Sequence, residues 1–329
     1  MSQFLSNCTA DALLDAARRL KAGDLVAFPT ETVYGLGADA SNSKAVSRIY
    51  SVKGRPSDHP LIVHIASMDR MGDWASDVPE YAIALARSFW PGPMTLILKR
   101  SELAGDFITG GQESVGVRVP DHVAALALLE AFERAGGKGV AAPSANRFGH
   151  VSPTTAAAVI EELGGFLSYE DLIIDGGPCA IGVESTIIDC TGDAPRVLRP
   201  GAISEVMINE CTRYFIIPRP NSLQPLVPQN IRVSGSLENH YAPRAKVFLD
   251  QIPISGQGYI ALSSIETPQG VIRLASPKNE EEFAQVLYKS LREADALGLN
   301  EIVVDQPFGE GIALAIRDRL ERAAEKIVI

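Results

Sequence analysis

The sequence predicts an α/β fold in which a twisted sheet with its helices is followed by a smaller domain of the same class. Three observations predict it. Short apolar runs bounded by turn residues, typical of strands, alternate with segments whose apolar residues recur three and four positions apart, as on a helix. Prolines accumulate in one stretch in the last third of the chain. The alternation resumes after them, so we expect a second domain.

The first two thirds alternate between predicted helices and strands. The first helix spans residues 9–22, where Thr9 can cap the start and Gly23 can end the last turn. Further helices are predicted at 43–52, 80–89, 123–135 and 154–163. Strands are predicted at 25–28, 61–65, 94–98, 115–119, 140–142 and 173–174. This order indicates helices packed around a twisted sheet.

The stretch from residue 205 to 243 is predicted to be a linker, because its prolines break any regular element. These prolines are Pro218, Pro220, Pro225 and Pro228. A domain of residues 1–204 therefore precedes the linker, and a small α/β domain of residues 244–329 follows it.

The second domain is predicted to hold strands at 245–249, 259–262 and 301–304 and helices at 279–296 and 311–325. Asn279 can cap the first of these helices, with Glu282 at the capping-box position. Because helices separate the strands, parallel pairing is favoured.

Composition describes an ordinary globular protein long enough for two domains. The chain has 329 residues, of which 46% are hydrophobic and 21% charged. Its net charge of -10 argues against long-range capture of nucleic acid. The four cysteines are too scattered for a zinc or redox pair. There is no leader-like N-terminus and no apolar run of membrane length, so we expect a cytoplasmic protein.

The most unusual motif is Pro29-Thr30-Glu31-Thr32-Val33-Tyr34-Gly35-Leu36-Gly37, which is predicted to form a polar turn at the end of a strand. Strand ends of α/β sheets commonly bind ligands. A purely structural loop is the competing interpretation. Gly35, Gly37 and Ala40 match a dinucleotide-binding spacing, but the first glycine lies seven residues beyond Phe28, too far for that motif.

Two basic residues and two histidines follow. Lys53 and Arg55 flank a glycine at a predicted helix end, where they suit either phosphate oxygens or a solvated helix terminus. His64 is the polar residue of an apolar strand, which indicates either a hydrogen-bonded core histidine or a ligand contact. His59 lies in the preceding turn, where simple exposure is equally compatible.

Arg118 interrupts an apolar strand and needs a partner, which is either an internal carboxylate or the carboxylate of a ligand. Ser144 and Asn146 follow another strand and can orient a polar ligand without ionising. Ser152 or Thr154 can instead cap the next helix. The remaining candidates are Ser185, beside a predicted strand, and Arg199.

The motifs occur in the order PTETVYGLG, KGRP with PLIVHI, WPGPMTLIL, VGVRVP, APSAN and ESTIID. In this order the chain resembles the threonylcarbamoyl-adenylate synthase family, the YrdC-like enzymes of tRNA modification, over residues 25–201. The family has a long form, whose members carry a linker and an extra C-terminal domain. HYAP at 240–243 looks like part of that linker, and the run at 311–320 looks like part of that domain. Residues 233–239 lack the Pro-Gly-Met and basic residues common there. The resemblance implies a mixed sheet with helices around a deep cavity, plus a small Rossmann-like parallel domain.

The resemblance implies synthesis of L-threonylcarbamoyl-adenylate from L-threonine, bicarbonate and ATP, with pyrophosphate release. The product would serve N6-threonylcarbamoyladenosine modification at tRNA position 37. Such chemistry depends on positioning and electrostatics, for which Arg, Lys, hydroxyls and amides are suited. Lys53 and Arg55 are the implied catalytic residues.

By the same resemblance, the ATP-binding residues are Arg55, His59, Ser114, Ser144, Asn146, Ser152, Arg199 and Tyr241. Those implied for L-threonine are Thr32, His64, Arg118, Ala142 and Ser185. Mg²⁺ is expected with ATP, without protein metal ligands. The implied downstream partner is a tRNA threonylcarbamoyl transferase complex, with little or no direct tRNA binding and no membrane contact.

Two other functions compete with this one. An RNA-binding translation factor without catalysis is poorly supported by the acidic charge. A related carbamoyl transferase that uses carbamoyl phosphate in hydrogenase maturation would carry zinc-finger cysteine pairs, and the sequence has none. The favoured function makes one structural demand: Lys53, Arg55, Arg118 and Ser144 must converge on one cavity.

Overall fold

The computed structural model describes residues 5–215, 231–235 and 241–324. Within them lie an eleven-stranded sheet and a four-stranded sheet. The strands of the larger sheet are β1 (Leu5–Asn7), β2 (Val26–Phe28), β3 (Gly35–Asp39), β4 (Ile62–His64), β5 (Ala75–Asp77), β6 (Met94–Arg100), β7 (Ser114–Arg118), β8 (Val140–Ala141), β9 (Leu172–Asp175), β10 (Thr186–Asp189) and β11 (Arg196–Arg199). Its helices are α1 (Ala10–Ala22), α2 (Ser43–Lys53), α3 (Met71–Trp74), α4 (Glu80–Phe89), α5 (Asp106–Thr109), α6 (Val123–Arg134), α7 (Ala156–Leu163) and α8 (Glu205–Thr212), with a 3₁₀ turn at Met68–Arg70.

The larger sheet is mixed, as the resemblance implies. Its strand order is β1-β9-β2-β3-β8-β4-β7-β6-β10-β11, and β5 pairs with β6. Parallel pairs such as β4 with β7 lie beside antiparallel pairs such as β6 with β7. No helix of the described residues is long and apolar enough to cross a membrane.

Alternating side chains place hydrophobic cores on both faces of this sheet. Val26 and Phe28 pack with residues of α1 and α6 on one face. Ala27, which points the other way, belongs to the core that contains residues of α2, α4 and α7. The bounds of α1 follow from local signals: the Thr9 hydroxyl accepts a hydrogen bond from Ala12 N, and Gly23 ends the helix at φ 99°.

The segment that contains Gly35 and Gly37 is a strand, so the prediction of a turn through Gly37 is wrong. The turn ends at Tyr34, and β3 pairs antiparallel with β2. Gly37 is needed because Phe28 and Val140 pack against it: a Cβ there would lie 2.9 Å from Phe28 Cε1 and 2.7 Å from Val140 Cγ1. These glycines lie within a strand, which rules out the dinucleotide-binding geometry.

The cap of α7 also differs from the prediction. The Thr155 hydroxyl accepts a hydrogen bond from Ala158 N at 3.2 Å, so neither Ser152 nor Thr154 caps this helix. Ser152 is buried and donates instead to the carboxylate of Glu184 at 2.6 Å. The Ser152 hydroxyl, which the local sequence favoured as a helix cap, therefore forms a tertiary contact instead.

Regular structure continues into the stretch predicted as a linker. Residues 205–212 form α8, with Ser204 as its cap and Ile208 buried. Since the first proline of the stretch is Pro218, nothing prevents this helix. Residues 231–235 lie against the first domain, where Arg232 pairs with Asp58 at 3.1 Å. The four prolines and His240 lie outside the described residues.

The C-terminal sheet is wholly parallel, as predicted, in the order β12-β15-β13-β14. Asn279 caps the longer helix by accepting from Glu282 N at 2.9 Å. The predicted end of the last helix, residue 325, lies outside the described residues. The elements are β12 (Lys246–Leu249), β13 (Gly258–Ile260), β14 (Ile272–Ala275), α9 (Glu280–Ala296), β15 (Glu301–Val304) and α10 (Ile312–Ala323). Strand β14 is an addition to the predicted set.

One hydrophobic core is shared between the two parts of the chain. Val33 and Val183 of the first part pack in the same cluster as Phe283 and Leu287 of α9 and Ile316 of α10. The C-terminal part is therefore anchored directly behind the turn that carries the Thr30–Tyr34 motif.

Candidate active site

Side chains from distant parts of the sequence surround one cavity. The residues that line it include all four whose convergence the favoured function requires: Lys53, Arg55, Arg118 and Ser144. The other lining residues are Thr30, Thr32, Val33, Gly35, Ile62, His64, Ala142, Pro143, Asn146, Phe148, Glu184, Ser185, Arg199, Ser234, Gly235 and Tyr241. The wall thus combines strand ends, the loop after β8, and residues 234, 235 and 241.

An internal carboxylate is the partner of Arg118. The guanidinium donates to Glu31 Oε1 at 2.6 Å and to the Thr32 hydroxyl at 2.9 Å, and both charged side chains are buried. This answers the question that the sequence left open. Among the described residues, Arg118 Nε and Glu31 Oε2 have no hydrogen-bond partner. The pair is therefore fixed in place and retains hydrogen-bonding capacity.

His64 is a buried, neutral imidazole beside this pair. It is the register partner of Arg118 on the neighbouring parallel strand, and its ring meets Phe28 edge to face with centroids 6.0 Å apart. Burial, and next the charge of Arg118, lower its pKa to about 3. Its Nδ1 has no partner within the described residues. The ring can therefore accept or donate a hydrogen bond without carrying charge.

Arg199 and Ser185 form a second polar group in the wall. Arg199 donates to the Ser185 carbonyl at 2.9 Å and to its hydroxyl at 3.2 Å. It also donates to the carbonyl of Ser234 at 2.8 Å. The Ser185 hydroxyl lies 2.8 Å from that of Thr95. Burial lowers the pKa of Arg199.

Neither cation of the Lys53–Arg55 motif is a solvated helix terminus. Lys53 is the last residue of α2, and Gly54, at φ 62°, ends the helix. The fully buried Lys53 ammonium donates to the backbone carbonyls of Ser144 and Asn146. Burial, followed by the charge of Arg55, lowers its pKa well below the usual value. Lys53 thereby ties α2 to the loop after β8.

Arg55 contacts Ser234, which lies in the stretch predicted as a linker. It donates to the Pro60 carbonyl at 3.1 Å and to the Ser234 hydroxyl at 3.2 Å, and it lies over the Phe148 ring. Burial lowers its pKa to about 10. Since Ser234 also accepts from Arg199, this one residue connects the two cavity arginines.

The loop after β8 presents an unused acceptor. The side-chain amide nitrogen of Asn146 donates to the carbonyls of Arg147 and His150, each at 2.8 Å. This fixes which way the amide points. Its Oδ1 is buried and has no partner in the described part of the chain. Asn146 therefore offers an acceptor to a donor group.

Three residues assigned to ATP by the resemblance are not on the surface of this cavity. His59 packs edge to face behind Phe148, with ring centroids 5.3 Å apart. Ser114 lines a neighbouring cleft together with Arg232 and Ser234. Ser152 is covered by Glu184. The other assigned residues all line the cavity.

Sequence reasoning missed Glu31 and Glu184 as parts of the site. Both lie inside motifs that it selected, each immediately before a chosen hydroxyl residue. The need of Arg118 for a carboxylate was recognised, but its donor could not be identified from sequence. Glu184 is held ionised: burial alone would raise its pKa, yet Arg319 and Arg199 lower it to about 2.

Two family models match the chain, one over each part. The model named Sua5_yciO_yrdC, described as telomere recombination, matches residues 18–201. A model described as the C-terminal domain of threonylcarbamoyl-AMP synthase matches residues 203–325.

Curated relatives match over nearly their whole length. The threonylcarbamoyl-AMP synthase of Pyrococcus abyssi is 41% identical over 324 residues, which cover 94% of this chain and 93% of that protein. The threonylcarbamoyl-AMP synthase of Bacillus subtilis is 39% identical over 338 residues, covering 96% and 94%. A crystal structure of P. abyssi Sua5 complexed with L-threonine matches with a TM-score of 0.84 at 38% identity, and covers 97% of both chains.

Proposed function

The chain belongs to the Sua5/YciO/YrdC family of threonylcarbamoyl-AMP synthases, and from this premise we propose that its cavity holds L-threonine beside ATP. The chain is an enzyme, and its product is threonylcarbamoyl-AMP. One observation carries the two-substrate proposal. A single cavity combines an arginine held by an internal carboxylate with a separate group of cations and polar side chains.

The proposed reaction joins L-threonine, bicarbonate and ATP. Bicarbonate takes up a proton and loses water to give carbon dioxide, and the threonine amine adds to its carbon, releases a proton and becomes a carbamate. A carbamate oxygen attacks the α-phosphorus of ATP. The bond from this phosphorus to the oxygen that bridges the α- and β-phosphates breaks, and pyrophosphate leaves with the electron pair. No step needs a protein nucleophile, so the cavity has to align the two substrates and neutralise the charge that develops.

We assign threonine to the wall around Arg118. The guanidinium, whose Nε is unpaired among the described residues, would receive the carboxylate in a charge-assisted hydrogen bond. Neutral His64 and the Thr32 hydroxyl are uncharged partners beside it. Ala142 and Ser185 complete the assignment. It is supported by the L-threonine complex of P. abyssi Sua5.

We assign ATP to the wall formed by Arg55, Arg199, Ser144, Asn146 and Tyr241. The two arginines would meet phosphate oxygens, and Asn146 Oδ1 would accept from a donor group such as the exocyclic amine of adenine. Lys53 would act by holding the loop and by its charge. The assignment of His59, Ser114 and Ser152 to ATP binding remains a prediction, since these residues lie behind or beside the residues that line the cavity.

Mg²⁺ enters this proposal as part of the Mg·ATP substrate. Among residues 5–215, 231–235 and 241–324, no three His, Cys, Asp or Glu side chains are grouped to hold a metal ion. The phosphate oxygens and water would hold the ion, as Mg²⁺ commonly is beside a triphosphate. We further propose a cytoplasmic protein whose product passes to a tRNA threonylcarbamoyl transferase complex for modification at position 37.

Pyrophosphate release in the presence of ATP and bicarbonate tests the function. The assay compares L-threonine, L-serine and no amino acid. We expect release with threonine to exceed release with serine by about tenfold or more, since one methyl group in a fitted pocket discriminates by this order. Equal release in the three reactions would remove the assignment. RNA binding without any release would favour the translation-factor alternative, which the comparisons do not support.

A further inference from the structure

Glu184 lines the cavity, but the three residues that donate hydrogen bonds to its carboxylate do not. Its Oε1 accepts from Ser152 at 2.6 Å. Its Oε2 accepts from Tyr288 of α9 at 2.8 Å and from Arg319 of α10 at 2.9 Å. Two of the three donors thus belong to the C-terminal domain, although Glu184 itself lines the cavity.

Arg319 is the centre of this contact. Its side chain is 0% exposed, and it donates to the Pro200 carbonyl at 3.0 Å as well as to Glu184. These two acceptors immediately adjoin Ser185 and Arg199, which line the cavity. One guanidinium therefore holds the side chain that precedes Ser185 and the backbone that follows Arg199.

The same guanidinium also lies under Tyr241. Its central carbon is 5.6 Å from the centroid of the Tyr241 ring, a cation–π distance. The Tyr241 ring stacks on Tyr288 with centroids 5.8 Å apart. Tyr241 lies within the stretch predicted as a linker and lines the cavity. Arg319 thus contacts Glu184 and Tyr241, which line the cavity, and Pro200, which directly follows the lining residue Arg199.

Charge explains why this contact matters for ligand binding. Glu184 is buried and ionised, and Ser152 and Tyr288 supply it with hydrogen bonds but with no positive charge. The two cations that act on it most strongly are Arg319 and Arg199, in that order. Without Arg319, the buried carboxylate would draw on Arg199 for its counter-charge. That would compete with the contacts that Arg199 makes around the cavity.

We propose that Arg319 is a positioning residue through which the C-terminal domain sets the nucleotide side of the cavity. It fixes Glu184, the backbone after Arg199 and the ring of Tyr241, and it supplies the counter-charge that Glu184 would otherwise draw from Arg199. The identification of the nucleotide as ATP rests on the proposed function. The contact between Arg118 and Glu31, which holds the guanidinium assigned to the threonine carboxylate, does not involve Arg319.

A purely structural role for Arg319 would lower stability and weaken both substrates alike. A positioning role weakens ATP selectively and is partly restored by lysine, which keeps the charge but loses the planar fork. The variants are Arg319→Lys and Arg319→Met in the full chain. Arg317→Met is the matched control, because Arg317 is on the same helix and donates to the carbonyls of Pro307 and Gly309, each at 2.7 Å, and not to Glu184. Arg322 is unsuitable, since it shares its partner Asp318 with Arg319.

Steady-state kinetics and calorimetry with ATP alone test the proposal. We expect Arg319→Met to raise the ATP KM and Kd by about tenfold or more, Arg319→Lys to raise them less, and the threonine KM to stay within about twofold. Arg317→Met should change none of these values. If Arg319→Met does not fold, the lysine variant decides.

An unchanged ATP Kd in a folded Arg319 variant, or equal increases for ATP and threonine, would overturn the proposal. The two proposals fail differently. A wild-type chain without threonine-dependent pyrophosphate release contradicts the proposed function, whereas the ATP Kd of the variants still decides the role of Arg319.

Discussion

Arg118 and Glu31 form a buried ion pair, with Arg118 Nη2 and Glu31 Oε1 2.6 Å apart and each side chain about 5% exposed. The two residues are 87 positions apart in the sequence. Because a buried guanidinium is costly without a counter-charge, Glu31 allows Arg118 to face the cavity before any ligand is bound. The threonine side is therefore preorganised.

Glu31→Gln should destabilise the fold and weaken threonine binding. Removing one partner of a buried pair leaves the other charge uncompensated, which costs about 3 kcal/mol in the free energy of unfolding. Urea unfolding and the threonine KM measure the two effects. The control is Glu113→Gln. Glu113 pairs with Arg100 at the surface, where such an ion pair contributes less than about 1 kcal/mol to the free energy of unfolding. Equal losses in the two variants would contradict the account.

His64 should remain neutral throughout the physiological range. Burial and Arg118 lower its pKa to about 3, so its ring ¹⁵N shifts should not change between about pH 5 and pH 8. In denaturant the same ring should titrate near about 6.5, which is the internal control. A titration near that value in the folded protein would mean that the ring is hydrated or charged.

Glu184 should make stability depend on acid pH. Its folded pKa of about 2 lies below the ordinary value of 4.5, so its contribution is complete above 4.5 and is lost as the pH falls towards 2. The corresponding free energy is about 3 kcal/mol. The stability gap between wild type and Glu184→Gln, measured by urea unfolding, should therefore narrow as the pH is lowered from about 5 to about 3. A gap of constant size would show that Glu184 is not ionised in the fold.

Gly235→Ala should raise the ATP KM. Gly235 has φ 83°, and a Cβ there would overlap the Tyr241 hydroxyl and lie 3.2 Å from an Arg199 nitrogen. Gly111 is the matched control, because its φ is 78° and nothing lies within 4 Å of an added Cβ. Both substitutions carry a similar backbone cost of about 1 kcal/mol. Only Gly235→Ala should move the KM, by about tenfold; equal kinetics for the two variants would exclude the steric explanation.

Elements whose ends are fixed by local chemistry were predictable from the sequence. The first helix ends at the predicted residue and begins one residue later than predicted, because Thr9 acts as its cap and Gly23 ends its last turn. Strand β3 was not predictable, because its glycines have low strand propensity and are explained by the packing of Phe28. Helix α8 was missed because the prolines that follow it dominated the interpretation of the whole stretch.

The residues of the candidate site were likewise predictable only where the local sequence carries a signal. Its cations and hydroxyls were recognisable because they follow or interrupt apolar strands. Their partners were not, because ion pairs between distant residues leave no local pattern. Glu184 and Arg319 are 135 positions apart, one in the part of the chain with the larger sheet and the other in the part with the smaller sheet. The ring of Phe148 and the backbone of Ser234 likewise enter the cavity only through the tertiary fold.

The central claim is that one cavity binds threonine at Arg118 and ATP at the wall that contains Asn146. Kinetics of Arg118→Ala and Asn146→Ala, with ATP binding by calorimetry as the test of folding, examine it most directly. We predict that Arg118→Ala lowers threonine-dependent pyrophosphate release by about a hundredfold while the ATP Kd stays within about threefold. Asn146→Ala should raise the ATP KM alone. Wild-type turnover in Arg118→Ala, or equal loss of both substrates in both variants, would contradict the claim.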